Sequence, residues 1–485
     1  MATIFDRVHV EGGLGAKRCE QTGGWNQQEP TNTIAAGSLG SKTFRSEYRL
    51  KYAYLAGAMY KGIASKEFVV ALGRAGLMGY LGTGGMSYDE MEPSIRYIQS
   101  ELSPGQSYGM NFLCQPQHPE IEERTVDLYL KYGICYIEAA AFTQMTPSLV
   151  RYRLKGLTRN SDGMIETRTR VLGKVSRPEV AMAFMGPAPE AIVRKLVASG
   201  HLTTQEAELS QSLPMADDIC VEADSGGHTD GGVAYALIPM VLSLRNKAME
   251  KYRYAKTINI GAAGGIGTPQ AAAAAFIMGA DFILTGSINQ CTVEAGTSET
   301  VKDILEKISV QDTTYAPAGD MFEIGSKVQV VKRGLFFPAR GNKLYELYQR
   351  HNSLDEIDTD TKRHIQERYF HRSFEEVWQE TAAYYNRVHP ERIKEIEKNP
   401  KQKMASIFKW YFVHSSRLAL EGRPEQQVDY QIHCGPALGA FNQWIEGTEL
   451  QNWRNRRVAE VAQRIMEGTA ELLNRQFANF RESRL

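Results

Sequence analysis

The chain has 485 residues with 56 basic and 56 acidic side chains, and hydrophobic residues make up 42% of it. Because single hydrophobic cores stop growing at roughly 250 to 300 residues, this length predicts a main domain with an addition. The balanced charge excludes a global field that would hold nucleic acid or an anionic membrane, although a local basic patch could still recruit an acidic partner.

The cysteines and the apolar runs indicate the cellular compartment. The six cysteines show no CxxC or other metal-binding spacing, and the N-terminal sequence MATIFDRVHVEGG lacks the charged start and apolar core of a leader. No apolar run approaches the ~18 residues that cross a bilayer. We therefore expect a reduced, cytoplasmic protein with no metal site and no membrane segment.

The sequence pattern of residues 1–45 differs from that of the residues after them. Residues 1–45 are rich in Gly, Gln, Thr and Asn without periodicity, which predicts an irregular lead-in. Beyond them, short apolar runs alternate with segments of helical periodicity. The apolar runs predict eight strands, at residues 53–59, 77–85, 107–113, 134–140, 170–175, 218–223, 257–263 and 281–286.

Eight strand–helix units within about 240 residues match the count and length of a TIM (β/α)8 barrel, so we predict an α/β fold with this barrel at residues 46–300. An open doubly wound sheet is the structural alternative, but it rarely contains eight sequential parallel strands. From residue 301 to 485 the alternation stops, and helix-period segments rich in aromatics predict a mainly helical domain for a substrate or partner.

Two consecutive glycine-containing turns predict a phosphate site. In INIGAAGGIGTPQ a buried strand leads into a glycine turn, with Thr268 as N-cap and Pro269 at the first helical position. One unit later, ADFILTGS ends a strand at Thr285, Gly286 and Ser287. The loops after strands seven and eight of such barrels often bind phosphate. A pair of tight turns without a ligand is the alternative.

Other sequence motifs indicate which kind of phosphate ligand would bind. The GxGxxG fingerprint of a dinucleotide site is absent, because GGLG near Gly12 lacks the strand and helix context, so a mononucleotide such as FMN fits better. Asn111 could face a flavin pyrimidine edge, and Lys174 could place a cation near the flavin N1–O2 edge. Singly, each could instead be an ordinary polar residue at a strand end or in a loop.

The segment ICVEADSGGHTDGG, residues 219–232, supplies a candidate reagent. We expect strand six to end at Ala223, with Asp224 at the barrel mouth, Gly226 and Gly227 in the turn, and His228 over the cavity. Histidine titrates near neutrality and can donate a proton in a reaction that adds hydride and proton. A purely structural histidine is the alternative.

These segments resemble a known group of enzymes. Residues 224–230, 259–269 and 279–289 resemble the FMN-dependent barrel superfamily of nitronate monooxygenases and flavin enoyl reductases, and residues 57–85 resemble its first strand–helix unit. Residues 434–458, CGPALGAFNQWIEGTELQNWRNRRV, are similar to one subfamily, the trans-acting enoyl reductases (PfaD type) of polyketide and polyunsaturated fatty acid synthases.

The resemblance implies reduction of a 2-enoyl thioester carried on an acyl carrier protein, with NADPH or NADH as reductant and FMN as relay. His228 matches the active-site histidine of the superfamily. Asp224 and Ser225 stand where relatives often have glutamate and alanine before the glycine pair. The residues that correspond by position to flavin contacts are Gly57, Ala58, Met59, Asn111, Lys174, Asp224, Gly264, Gly265, Gly286 and Ser287.

Two other functions remain open on the sequence. In a nitronate monooxygenase the same histidine would act as a base on an acidic carbon, and a non-catalytic barrel would serve as a docking scaffold. Arg454, Arg456 and Arg457 form a basic cluster of a kind that is more often a solvated helix face, and a landing site for an acidic carrier protein is the alternative.

Overall fold

The computed structural model describes residues 33–388 and 390–482, and the described residues from Ile34 onward belong to one compact unit. Most of the predicted irregular lead-in, with Gly12 and Cys19, therefore lies outside the described residues. Its last residues enter a helix that begins at Lys42. Among the described residues no helix is both long and apolar enough to span a membrane.

Eighteen α-helices are found in the described part of the chain. They are α1 Lys42–Tyr48, α2 Lys66–Arg74, α3 Tyr88–Glu101, α4 Pro119–Lys131, α5 Pro147–Leu154, α6 Pro178–Met185, α7 Glu190–Ala198, α8 Thr204–Leu209, α9 Ala234–Tyr252, α10 Pro269–Ile277, α11 Glu299–Leu305, α12 Phe337–Arg350, α13 Thr359–Ile365, α14 Phe374–Val388, α15 Pro390–Lys398, α16 Pro400–Glu421, α17 Ala437–Trp444 and α18 Val458–Glu482.

Thirteen strands accompany these helices within the same described ranges. They are β1 Tyr54–Ala56, β2 Met78–Leu81, β3 Gly109–Leu113, β4 Tyr136–Ala140, β5 Thr158–Arg159, β6 Ile165–Glu166, β7 Arg170–Val175, β8 Asp218–Glu222, β9 Gly227–Thr229, β10 Asn259–Ala263, β11 Phe282–Thr285, β12 Thr313–Pro317 and β13 Lys327–Val331.

Eight of the strands close into a parallel barrel in the order β1-β11-β10-β8-β7-β4-β3-β2. These are the eight strands predicted from the apolar runs, so the predicted TIM barrel is confirmed and the open sheet is excluded. Their side chains are buried almost throughout, as in β10 and β11, because helices cover the outside of a parallel sheet.

The bottom of the barrel is plugged by α1. Phe44 and Tyr48 of this helix are fully buried against Phe282, and the Tyr48 hydroxyl donates a 2.6 Å hydrogen bond to Asp218 at the start of β8. Arg170, at the start of β7, pairs with the same carboxylate at 3.3 Å. The amino-terminal ends of the strands are thus filled with packed and paired side chains, and the opposite end is the one available for chemistry.

The residues beyond the barrel do not all pack together. Helices α12–α16 surround a second hydrophobic core with Phe337, Phe370 and Phe412 at its centre. Helices α17 and α18 instead join the barrel's own core, and α18 packs along α10. The domain limits 46–300 and 301–485 remain a prediction. Helices α17 and α18 belong to the second predicted domain by sequence, but they pack against the barrel.

A small sheet in the order β12-β13-β9 was not predicted from the sequence. Its strand β9 follows β8 of the barrel, while β12 and β13 come from the segment beyond residue 300. His228 pairs with Val328 across this sheet, so it lies in a short strand and not in an irregular loop. A three-residue strand next to glycines carries no periodicity, which is why the sequence does not reveal it.

Candidate active site

The carboxyl ends of the barrel strands bring a lysine and two glutamates together. Lys174 of β7 lies 3.5 Å from Oε1 of Glu138 in β4 and 3.3 Å from Oε1 of Glu222 in β8. Glu138 is 1% exposed, and its Oε2 accepts a 3.0 Å hydrogen bond from the backbone N–H of Ala58 after β1. Three strands and the loop after β1 therefore contribute to one charged cluster at the mouth.

The cluster is electrostatically coupled. Burial alone would discharge Lys174, but Glu222 and Glu138 outweigh it and hold the pKa of the ammonium above its usual value. Burial raises the pKa of the Glu138 carboxyl, and Lys174 opposes that shift. Lys174 is thus a fixed cation in the barrel mouth and not a solvated loop lysine. The Oε1 atom of Glu138 accepts no hydrogen bond within the described structure.

Asn111 and the loop after β1 form the neighbouring wall. Asn111 is buried, and its amide nitrogen donates a 3.2 Å hydrogen bond to the backbone carbonyl of Glu138. The carbonyl of Met59 lies so close to Gly82 that a Cβ there would be 1.7 Å from it, so glycine is required at that contact. The structure thus places Gly57, Ala58, Met59, Asn111 and Lys174 at the same end of the barrel, on or directly after β1, β3 and β7.

The two predicted phosphate loops follow the neighbouring strands β10 and β11, and β11 adjoins β1 in the barrel. Gly264 has φ +85° and fits against the carbonyl of Ala223, which a Cβ would approach to 2.5 Å. A Cβ added to Gly265, φ +74°, or to Gly286 would meet no atom within 4 Å. Gly264 is therefore a packing glycine, whereas Gly265 and Gly286 border open space where backbone could approach a ligand.

A segment from near the C-terminus completes these loops. The backbone N–H of Gly435 donates a 3.0 Å hydrogen bond to Oγ of Ser287, and the carbonyl of Ala437 lies against Gly267. Gly226 also abuts Gly435, because a Cβ there would come within 2.7 Å of the Gly435 nitrogen. The hydroxyl of Ser287 thus already has one hydrogen-bond partner within the protein. Residues 434–437, the CGPA segment, form part of the barrel mouth.

Asp224 lies beside the loops but is already paired. Its Oδ1 accepts a 2.8 Å hydrogen bond from the Thr229 hydroxyl, and its Oδ2 accepts one from the Tyr315 hydroxyl and a 3.4 Å one from Gln329. This carboxylate therefore ties β9 to β12 and β13. Its contact with a flavin stays a prediction.

His228 stands at the rim with an acid that the sequence analysis missed. Its Nε2 lies 2.8 Å from Oδ1 of Asp320, in the loop after β12. Burial disfavours a charged ring, but the hydrogen bond and charge of Asp320 outweigh it, so the pKa of His228 lies above its ordinary value. The side chain is 49% exposed, which leaves it accessible from solvent.

A second histidine lies behind the first. The ring centroids of His228 and His433 are 6.5 Å apart, and burial, together with the nearby His228, lowers the pKa of His433 to about 4. The side-chain amide of Gln431 lies 2.7 Å from Nε2 of His433, which suits a neutral ring that accepts this hydrogen bond. His433 is therefore neutral near pH 7, whereas Asp320 favours the charged form of His228.

Three residues of this site were not predicted from the sequence: Glu222, Asp320 and His433. Of these, Glu222 could have been predicted from the strand pattern. It follows Cys220 by two positions in β8, and alternate residues of a strand face the same side, here the barrel interior that contains Cys220. Asp320 and His433 had no such signal, because only the tertiary fold brings their distant segments to His228.

Arg456, the middle residue of the arginine cluster, is buried, so it lies neither on a docking patch nor on a solvated helix face. Arg456 is 1% exposed and donates to the carbonyls of Leu450 at 2.7 Å and Gln451 at 3.0 Å, and to the Cys291 sulfur. Its neighbour Arg454 pairs with Glu299 and Asp303. The guanidinium at 456 thus stabilises the turn before α18 and does not face a partner.

Replacing Arg456 with alanine is expected to lower the free energy of unfolding by about 2 to 4 kcal/mol, because the buried carbonyl of Leu450 and the partly buried carbonyl of Gln451 lose their donor. Denaturant unfolding measures this loss. The exposed Arg457 provides the matched control, and its replacement with alanine should change the free energy by at most about 0.5 kcal/mol. Equal effects of the two changes would contradict the structural role of Arg456.

Comparison with known proteins shows which family and relatives the chain resembles. The family described as "Nitronate monooxygenase" matches residues 43–320, and the inserted helical domain of [acyl-carrier-protein] S-malonyltransferase matches residues 351–430. Polyketide biosynthesis protein PksE of Bacillus subtilis (strain 168) is 58% identical over 441 residues, which are 91% of this chain and 57% of PksE. A polyunsaturated fatty acid synthase subunit from Thraustochytrium sp. is 44% identical over 85% of this chain and 28% of that protein.

A solved structure matches over nearly its whole length. The enoyl reductase domain of MlnA, from the macrolactin biosynthesis cluster of Bacillus amyloliquefaciens, superposes with a TM-score of 0.88 at 44% identity, covering 91% of this chain and 99% of that one. The chain spans only about half the length of PksE, by contrast. The resemblance seen in the sequence is confirmed: the chain belongs to the nitronate monooxygenase family, in the branch that includes the enoyl reductase domain of MlnA.

Proposed function

We propose that the protein reduces the 2,3 double bond of an enoyl thioester held on an acyl carrier protein, using NAD(P)H through bound FMN, in polyketide or polyunsaturated fatty acid biosynthesis. The observation that carries the proposal is the arrangement at one end of the barrel. Open glycine loops at Gly265 and Gly286, the buried cation of Lys174 and the accessible acid His228 surround the same mouth.

The residues present fit a flavin mononucleotide. Gly265 and Gly286 leave room for a phosphate to approach the backbone closely, and the nearby N-terminus of α10 favours an anion. Asn111 and Lys174 would hold the ring system, with Gly57–Met59 as its wall. When bound, FMN would relay hydride from the nicotinamide to the substrate.

The protein's own residues would then position the thioester and manage the proton. The net reaction adds a hydride from NAD(P)H to the β-carbon and a proton to the α-carbon, which yields the saturated thioester and NAD(P)⁺. His228 would donate that proton, because it is accessible at the rim and Asp320 favours its charged form. Lys174 would stabilise negative charge in the mouth, where Glu138 and Glu222 fix its position.

The helical region supports a carrier protein as partner. Residues 351–430 match an inserted domain of an enzyme whose name specifies an acyl carrier protein. PksE and the Thraustochytrium protein are named for polyketide and polyunsaturated fatty acid synthesis. We therefore assign the α12–α16 region, and not the arginine cluster before α18, as the part that receives the carrier.

Anaerobic incubation with NADPH and a crotonyl thioester tests the function directly. The expected product is the butyryl thioester, identified by mass spectrometry, with a lower KM for crotonyl carried on an acyl carrier protein than for a small free thioester. The family match at residues 43–320 favours nitronate oxidation as the second candidate. Oxygen-dependent consumption of an alkyl nitronate, without any saturated thioester, would select it.

Replacing Gly265 with leucine is expected to abolish flavin binding while the barrel stays folded, because the side chain would enter the open space beside the loop. The flavin absorbance of the purified protein measures the loss. Gly200 is the matched control, because it has φ +75°, also borders open space and lies after α7. A G265L protein with full flavin content, or a G200L protein that lost it, would contradict the site.

A further inference from the structure

We propose that Asp320 is a positioning residue that holds the ring of His228 through Nε2 and leaves Nδ1 as the nitrogen that donates the proton. The inference rests on the proposed role of His228 as the acid. Its geometric basis is the 2.8 Å contact between Nε2 and Oδ1 of Asp320. Within the described residues, Nδ1 of His228 makes no hydrogen bond.

One small sheet supports both partners. His228 lies in β9, where it pairs with Val328 of β13, and Asp320 lies in the loop that connects β12 to β13. The backbone positions of the histidine and the acid are therefore fixed relative to each other by the same sheet. Asp224 then links this sheet to the end of β8, through Thr229 of β9 and Tyr315 of β12.

The charges around His228 favour its protonated form. Asp320 is the nearest charge, and the pKa of its own carboxyl is lowered, because His228 outweighs the effect of burial. From the barrel, Glu222 favours the imidazolium and Lys174 opposes it. His433, packed behind, stays neutral above about pH 4 and adds no positive charge near neutrality. Asp320 is thus the group whose removal should most reduce the charge on His228.

The tautomer follows from the same contact. A carboxylate can only accept a hydrogen bond, so Nε2 must carry a proton in both the charged and the neutral ring. The proton that the ring can lose is then the one on Nδ1. After proton transfer, the neutral ring would keep its remaining hydrogen on Nε2, facing Asp320, in the manner of other histidines oriented by an acid.

Nitrogen-15 NMR of histidine-labelled protein tests the pair without any substrate. The His228 signals, among 10 histidines, are those missing from the H228N protein. In the parent we expect a titration midpoint above that of a free histidine, and a neutral ring protonated on Nε2. D320N should lower the midpoint, because the charge is gone while an acceptor remains. D320A should lower it too and remove the tautomer preference.

Two controls and one rate measurement complete the experiment. D355N removes an exposed carboxylate far along the chain and should leave the His228 titration unchanged. D320A should slow reduction of the enoyl thioester about tenfold and leave flavin reduction by NADPH unaffected. In D320N the rate should begin to fall with rising pH at a lower pH than in the parent.

The NMR measurement tests the interaction between His228 and Asp320 whether or not the parent reduces an enoyl thioester. Failure of this inference can therefore be distinguished from failure of the proposed function. An unchanged midpoint in both Asp320 variants would overturn it. A neutral ring protonated on Nδ1 in the parent would overturn it as well.

Discussion

Replacing Lys174 with methionine is expected to lower the free energy of unfolding by about 3 to 5 kcal/mol at neutral pH, because a buried carboxylate loses its counter-ion. Glu138 is almost fully buried, and Lys174 is the cation next to its otherwise unpartnered Oε1. Denaturant unfolding at several pH values measures the loss. Lys247 is exposed on α9, and K247M should change the free energy by at most about 0.5 kcal/mol.

The pH dependence of this loss has a definite sign. Burial already raises the pKa of Glu138, and removing Lys174 takes away a charge that opposes that shift. The folded K174M protein would therefore take up a proton on Glu138 at a higher pH than the unfolded chain does. Its deficit relative to the parent should shrink as the pH falls through that pKa. K174M/E138Q should recover much of the loss at neutral pH, and a deficit independent of pH would contradict this account.

Replacing His228 with alanine is expected to slow reoxidation of the reduced flavin by an enoyl thioester by about 10² to 10⁴-fold, the usual contribution of a positioned acid. Flavin binding should persist, because the side chain is half-exposed and lies in the small sheet outside the barrel wall. Reduction of the flavin by NADPH should change much less. Stopped-flow absorbance of the two half-reactions separates these effects.

H364A is the matched control for H228A. His364 is an exposed histidine of α13, in the helical region, and its removal should affect neither half-reaction. Equal slowing of both half-reactions by H228A would indicate that the histidine supports the structure, and an unchanged enoyl rate would remove it from catalysis.

The barrel was predictable because each of its strands is a local pattern. Eight apolar runs separated by helical segments coincide with the eight barrel strands, since parallel strands buried on both faces need continuous apolar sequence. The glycine turn after β10 was equally legible, because Gly264 and Gly267 lie too close to neighbouring backbone for a Cβ to fit. These features depend only on neighbouring residues.

The rest of the site depends on pairs of residues far apart in the chain. Asp320 meets His228 through a sheet that joins two distant segments, and no composition or spacing marks that pairing. Arg456 was wrongly predicted to be exposed. Three arginines close together in the sequence suggested a charged surface, but Arg456 is buried beneath the turn that it stabilises. Charge clusters in a sequence do not report which side of a segment faces solvent.

The contact of Gly435 and Ala437 with the loops at Ser287 and Gly267 has a consequence for how the protein matures during translation. The ribosome releases the eight barrel strands well before the CGPA segment emerges, so a nascent barrel would have an unfinished mouth and an uncovered apolar surface where Leu438 and Phe441 later pack. The proposed flavin site would then be complete only after that segment has been synthesised. A chain halted before residue 430 should be recovered colourless and prone to aggregate, however complete its barrel.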